Sequence, residues 1–312
     1  MASILSTESR DKRPLLLIMD GHALIYRAWH AIKQPLSISS TGEEVRAVYG
    51  FLNSFIRTVS EWRPTHCAIA FDLPTPTFRH IEFKEYKAHR PPTPPELISQ
   101  FDRIRQLVTA FDIPIYEMPG YEADDIIGTL SLQAESRELE TLIVTGDTDT
   151  LQLVSPLVKV HLVASTKNQK VYDESAVMDR YGGLRPKALP DVKGLQGDSS
   201  DNIPGVPGIG NKTAIKLISQ YGDIESLYSL LESVPQTKLR QSLEENHGKA
   251  LQAKRLTTIV RDVPVKLDLD ACQFWKYNRD TVIEFLKEME FYSFVSRIPN
   301  THQDEDAKGS VF

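Results

Sequence analysis

Residues 15–20 read LLLIMD: five large apolar side chains in a row, closed by an aspartate. A run this short and this uniformly apolar suits a strand buried on both faces. Two further runs repeat the form, CAIAF at 67–71 and TLIVT at 141–145, each bounded by polar or turn residues. Between them, apolar residues recur at helical spacing over 44–60 and over 96–110. IPIY at 113–116 is another short strand, followed by a helix near 122–135. Strands alternating with helices predict an α/β fold with a mainly parallel sheet.

In such sheets ligands bind beyond the carboxyl ends of the strands. Asp20 follows the first run directly, Asp72 follows the second, and Asp147 follows the third after one glycine, with Asp149 two residues on. One strand-end aspartate is commonly a helix N-cap. Three delivered to one sheet edge form a pattern that capping does not require. GYEADDIIGTL adds Glu122, Asp124 and Asp125 at a helix start, where the macrodipole favours one or two acids but does not call for three. GDSSDNIPG adds Asp198 and Asp201 in a segment that by itself reads as a turn. Acids packed together repel, and divalent cations relieve that cost. Phosphodiester hydrolysis uses two such ions, roughly 4 Å apart, to activate water and stabilise the leaving oxygen. A set of carboxylates without histidine or cysteine fits Mg²⁺ or Mn²⁺ and argues against zinc.

The composition limits the alternatives. The 312 residues make one large or two modest domains, and 41% hydrophobic residues allow a sizeable core without staples. Cys67 and Cys272 lie far apart and lack ligand spacing, which favours a reducing cytoplasm. The polar first thirteen residues predict a disordered start, and the apolar run after them is too short for a signal segment or a membrane span. Residues 300–312 predict a polar, disordered tail. The net charge of −6 stands against a nucleic-acid partner on its face. Setting the nine named acids aside leaves the remainder at +3, compatible with a basic surface around an acidic, metal-filled hole.

Two segments suggest what such a hole would act on. Residues 78–95, FRHIEFKEYKAHRPPTPP, mix bases with aromatics and end in prolines that exclude one continuous helix. They read either as a solvated loop or as a mobile cationic arch over a site. Beyond about residue 185 short helices and glycine-rich turns take over. There GVPGIGNKTA (205–214) resembles the helix-hairpin-helix family of DNA-binding elements, with Gly208, Gly210, Lys212 and Thr213 leading into a helix from Thr213 to Tyr221. Glycines let a phosphate approach the backbone, and amides at a helix start bind the anion. The hairpins of that family often hold a monovalent cation, commonly K⁺, through backbone carbonyls.

Taken with IMDGHALIYRA, FDLPTPTFRHIEFKEYKAHRPPTP, TGDTDTLQLV and LQGDSSDNIPGVPGIGNKTA, these motifs resemble, from about Leu15 to Pro299, the 5′-nuclease domain of bacterial DNA polymerase I and, more distantly, the flap endonucleases. The resemblance implies a PIN-like catalytic region (14–185) with a helical arch, then a helix-hairpin-helix region (186–299). It implies that Asp20, Asp72, Glu122, Asp124 and Asp147 serve largely a first ion, and that Asp125, Asp149, Asp198 and Asp201 lie nearer a second. Arg79, Lys87 and Arg90 would be arch cations on the scissile phosphate, Tyr26 a platform for the terminal base, and Arg27 and Tyr86 further DNA contacts. Core packing is the other reading of Tyr26. Thr148 departs from the Lys or Arg that many relatives carry between the two aspartates. The implied substrate is DNA with a 5′ flap, a nick or a junction, or an RNA–DNA primer. The implied enzyme is a monomer, and because no polymerase segment follows, it is either stand-alone, with a polymerase acting in trans, or an excised piece. The alternatives are a non-catalytic junction binder, which would lack some of the acids, and a PIN-type ribonuclease, usually shorter and without the hairpin.

Overall fold

Six strands form the main sheet: β1 (Leu15–Asp20), β2 (His66–Ala70), β3 (Ile115–Tyr116), β4 (Glu140–Thr145), β5 (Val158–Val163) and β6 (Gln169–Tyr172). Their spatial order is β3-β2-β1-β4-β5-β6, parallel throughout except for the antiparallel edge strand β6. The computed structural model describes residues 14–163 and 169–301. The segment 1–13 and most of the expected tail, 302–312, lie outside the described residues.

The apolar runs became strands as their composition predicts, with β2 one residue earlier than CAIAF. Period-two alternation splits β1 between two cores. Leu17 and Met19 pack with residues of α1 (Gly21–Ala31), α2 (Arg46–Trp62) and, beyond the five-residue α3 (Phe78–Glu82), α4 (Pro95–Ala110). Leu16 and Ile18 face α5 (Ala123–Glu135) through Ile126, Ile127 and Leu130. Each such side chain contributes ~1.5–3 kcal/mol by leaving water, and both faces of the sheet are covered. Sequence reading left out β5 and β6, although VKVHLV carries enough alternation to have suggested a strand.

After α6 (Glu174–Arg180), a third core joins α7 (Leu189–Gln196), α8 (Asn211–Tyr221), α9 (Ile224–Ser229) and α10 (Thr237–Glu245) through Val192, Leu195, Leu217, Ile218, Leu227 and Leu243. The chain beyond residue 186 does not stay within this third core. After α11 (His247–Thr257), Ile259, Val263 and Leu267 return to the second core. Phe274 and α12 (Arg279–Glu288), through Val282 and Leu286, return to the first. The end of the described chain thus buttresses the sheet, because its apolar stripe matches α4 and α2. Cys67 and Cys272 become neighbours, with the Cys67 N–H donating to the Cys272 carbonyl at 2.8 Å, yet both thiols are free and sit in different cores. Among the described residues no helix is long and apolar enough to cross a membrane.

Candidate metal centre and nucleic-acid interface

From β1 the chain order runs outward through β2 on one side and β4 on the other, so a crevice opens beyond their carboxyl ends. Asp20 ends β1 and caps α1: its Oδ1 accepts the Ala23 N–H at 3.0 Å, and its Oδ2 accepts the Thr145 hydroxyl at 2.7 Å. Capping and facing the crevice are compatible here. Asp72 accepts the Ala123 N–H at 2.8 Å, which ties the end of β2 to the start of α5. Asp147 accepts the Asp149 N–H at 2.8 Å. Asp124 sits in the first turn of α5, and its Oδ1 is buried without a hydrogen-bond partner. Asp20, Asp72, Glu122, Asp124 and Asp147 line one cleft of about 660 Å³, whose walls include Tyr26, Arg27, Lys87 and Arg90.

The electrostatics record the crowding. Burial, with Asp72 and Asp147 nearby, pushes the Asp20 carboxyl up to about 7. Burial and then Asp147, Asp20 and Asp72 raise Asp124 well above the carboxylate range. Burial raises Asp147 as well, with Asp201 adding to the effect. His22 accepts the Asp72 N–H at its Nδ1 (3.1 Å), and burial lowers its pKa.

A second set of acids has cations beside it. Lys193, in the last turn of α7, places Nζ 2.7 Å from Asp149 Oδ1 and 2.7 Å from Asp198 Oδ2. Burial works against this ammonium, but Asp149 and Asp198 outweigh it and hold its pKa above the ordinary lysine value. Asp198 Oδ1 accepts the Ser200 N–H and hydroxyl at 2.8 and 2.6 Å. Lys87 Nζ is 2.8 Å from Glu122 Oε1 and 3.9 Å from Asp201 Oδ2, and Arg90 Nη2 is 2.6 Å from Asp201 Oδ1. Sequence reasoning missed Lys193, since a single lysine near the end of an amphipathic helix carries no signal of its own.

Three sequence assignments are corrected. Asp125 is fully buried and turned away from the crevice, where it accepts Arg79 Nη1 and Nη2 at 2.7 and 2.8 Å, the Val260 N–H at 2.9 Å and the Glu122 N–H at 3.1 Å. Its acceptor sites are filled, so it is not placed to ligate an ion. Arg79 is 3% exposed and also donates to the Leu256 and Thr258 carbonyls, so it is a buried strut rather than a phosphate-gripping cation. Tyr86 is likewise buried, its hydroxyl 2.8 Å from Glu122 Oε2 and 3.0 Å from Asp201 Oδ2, and offers no face for DNA. The surrounding segment is helical only over Phe78–Glu82, and the rest is turns ahead of the prolines, which deny it a longer helix. It lies against the acids through Tyr86, Lys87 and Arg90 instead of standing clear of them.

Tyr26 is half-buried on the cleft wall, its ring edge-on to Phe101 (centroids 6.4 Å apart) and its hydroxyl bonded to Thr93, so it both packs and lines. Arg27 donates to Ser54 at 3.1 Å from the same helix. Beyond α7, β7 (Gly197–Asp198) and β8 (Ile203–Pro204) form a tight antiparallel pair. A Cβ at Gly205 would meet the Gly197 backbone nitrogen at 2.3 Å, so the pair requires glycine there. Gly208, at φ +82°, turns the chain into α8, with Gly210 extended at the N-cap. Gly208, Gly210 and Lys212 are exposed and Thr213 is half-buried. The leading amides of α8 have no intrahelical acceptor, the arrangement that suits an anion. The helix begins two residues earlier than its sequence suggests.

Among the described residues, no three His, Cys, Asp or Glu side chains already converge as an ion cage. The donor chemistry nonetheless fits a hard divalent ion. The set is all oxygen, Asp124 Oδ1 lacks a partner, the acids raise one another's pKa, and a lysine ammonium stands between Asp149 and Asp198.

A parallel sheet with acids gathered at its crevice, followed by a helical hairpin region, is the architecture of a PIN-like nuclease. Residues 15–182 match the family model "5′-3′ exonuclease, N-terminal resolvase-like domain", and residues 184–280 match "5′-3′ exonuclease, C-terminal SAM fold". The chain belongs to the 5′-3′ exonuclease family and is a nuclease. DNA polymerase I of Chloroflexus aurantiacus is 44% identical over 299 residues, covering 93% of this chain and 31% of that protein. The chain spans about a third of the length of the curated relatives it matches. T5 5′-exonuclease with bound zinc superposes with a TM-score of 0.66 at 20% identity, covering 89% of this chain and 98% of that one. The bacteriophage T5 flap endonuclease in a pseudo-enzyme-product complex with DNA and metal ions gives 0.62 at 18%, with the same coverage. At these identities the two structures speak for the fold.

Proposed function

We propose that the chain hydrolyses the 5′ strand of DNA at a single-strand/duplex junction, as 5′-3′ exonuclease and 5′-flap endonuclease, leaving a 5′-phosphate and a 3′-hydroxyl. The observation that carries this reading is the buried, unpartnered Oδ1 of Asp124 in a cleft shared with Asp20, Asp72 and Asp147. Divalent ions, Mg²⁺ or Mn²⁺, supply when bound an activated water and charge neutralisation at the leaving oxygen. Asp20, Asp72, Asp124 and Asp147, with Glu122 beside them, hold the first; Asp149, Asp198 and Asp201 hold the second.

The remaining roles fall to the chain's own side chains. Lys87 and Arg90 enter the cleft from the segment above it and exchange their carboxylate partners for the scissile phosphate. The ring of Tyr26 receives the terminal base, and Arg27, one residue on, contacts a phosphate. Gly208, Gly210, Lys212 and Thr213 hold the duplex by its backbone, without reading sequence, and the hairpin carbonyls take a K⁺ ion. The reading extends to RNA–DNA primer removal and repair in the cytoplasm, by a monomer working with a polymerase in trans or in one polypeptide.

A 5′-end-labelled flap incubated with Mg²⁺ and then with EDTA tests this, with product mapping to separate end-trimming from junction cleavage. Equal cleavage under both conditions sinks the metal mechanism. Binding without cleavage favours a junction binder, and preferential cutting of a matched RNA flap favours a ribonuclease. Asp147→Asn is expected to abolish turnover nearly completely while flap binding survives.

A further inference from the structure

Asp149 and Asp198 come from different parts of the fold. Asp149 opens the 3₁₀ helix Asp149–Leu153 that follows β4, and Asp198 lies in the hairpin after α7. Lys193 joins them with two contacts of 2.7 Å, and its side chain is largely shielded from solvent. In the first set Lys87 pairs with Glu122, whereas among the described residues no lysine or arginine ion pair reaches Asp124, whose Oδ1 is buried without a hydrogen-bond partner. A lysine ammonium is a compact point charge with donors only, so it can occupy the place between two carboxylates that a small cation would take. A divalent ion needs those same oxygens.

We propose that the Lys193 ammonium is the resident counter-ion of the second carboxylate set, and that a divalent ion entering this set displaces it. The inference rests on the two-ion reading above. Two consequences follow. The set is held in shape without metal, which keeps α7 and its hairpin docked on the end of β4. The two sites also load in order, because an ion reaching Asp124 in the first set finds a carboxylate oxygen without a partner, whereas one at the second must displace Lys193 from its 2.7 Å contacts with Asp149 and Asp198, the latter a charge-assisted hydrogen bond.

A purely structural salt bridge would respond in the opposite direction. If Lys193 only positions Asp149 and Asp198, removing it loosens them and weakens ion binding. If it competes, removing it strengthens ion binding, since a positive charge leaves and two carboxylates are left facing each other.

Mn²⁺ binding to the full chain without DNA, followed by electron paramagnetic resonance, separates the two. Wild type is expected to show a tight and a weak class. In Lys193→Met the weak class tightens by roughly tenfold or more, while the tight class stays within about twofold and Lys193→Arg resembles wild type. The Mn²⁺-induced rise in Tm is correspondingly larger in Lys193→Met. Should the metal-free methionine variant not fold, Lys193→Gln is measured in its place. A weak class that is unchanged or weaker in the neutral variant overturns the inference and leaves the two-ion reading standing. A single Mn²⁺ class in every protein overturns both.

Discussion

Asp125→Asn separates a structural acid from a catalytic one. Asp125 is fully buried and accepts four hydrogen bonds, two from Arg79 and one each from the Val260 and Glu122 amides. The asparagine keeps the volume but removes the charge, and its NH₂ group must face donors. Arg79, 3% exposed, is left with the Leu256 and Thr258 carbonyls and with Glu122 Oε2 at 3.3 Å. Breaking a buried ion pair by removing one partner costs ~3–5 kcal/mol, a large part of the ~5–15 kcal/mol that keeps a domain folded. The damage should centre where α3, α5 and the irregular segment after α11 meet, since the pair ties these together. Urea denaturation of the metal-free protein measures the loss. Flap cleavage at low temperature, where the variant is still folded, is expected to remain within about tenfold of wild type. Wild-type stability combined with abolished cleavage would refute the reasoning and return Asp125 to the site.

Asp124→Asn, one residue away, is expected to leave metal-free stability unchanged or raised, because its carboxylate is desolvated and repelled by Asp147, Asp20 and Asp72; it should weaken Mn²⁺ binding, and a destabilisation like that of Asp125→Asn would count against the assignment. The Asp20 carboxyl, pushed up to about 7 by burial and neighbouring acids, keeps its proton in the folded chain at pH values where the unfolded chain has lost it. Its contribution to stability is complete below about pH 4 and disappears as pH rises through about 7. Tm in EDTA should therefore fall between about pH 5 and about pH 8, and saturating Mg²⁺ should shrink that fall; a Tm that rises over this range would contradict it. Lys212→Ala should weaken duplex binding evenly across sequences and reduce the salt dependence by about one counterion without changing kcat. An unchanged salt slope removes Lys212 from the interface.

The strand-end acids were legible because two local signals coincide. An apolar run marks a buried strand, and in a parallel sheet every such strand ends at the same edge, so Asp20, Asp72 and Asp147 had to come together. The glycine hairpin was legible for a similar reason, since Gly208 needs a positive φ and the segment announces its own turn. Asp124 and Asp125 were not separable in this way. They are adjacent residues of one type in one helical turn, and about 100° of helical rotation sends one towards the crevice and the other towards Arg79. The segment around Tyr86 posed the same difficulty: bases interleaved with aromatics suit a free arch and a docked strap equally, until Glu122 and Asp201 are seen beneath it.

The sequence by itself determined the α/β class, the edge of the sheet where chemistry gathers and the presence of a phosphate-compatible hairpin. All three follow from periodicity and turn chemistry within a few residues. Only the tertiary structure decided which acids face the cleft, that Lys193 sits between Asp149 and Asp198, and that Phe274 and α12 return to the first core. Those facts depend on residues far apart in the chain meeting in space, and local patterns carry no record of the partner.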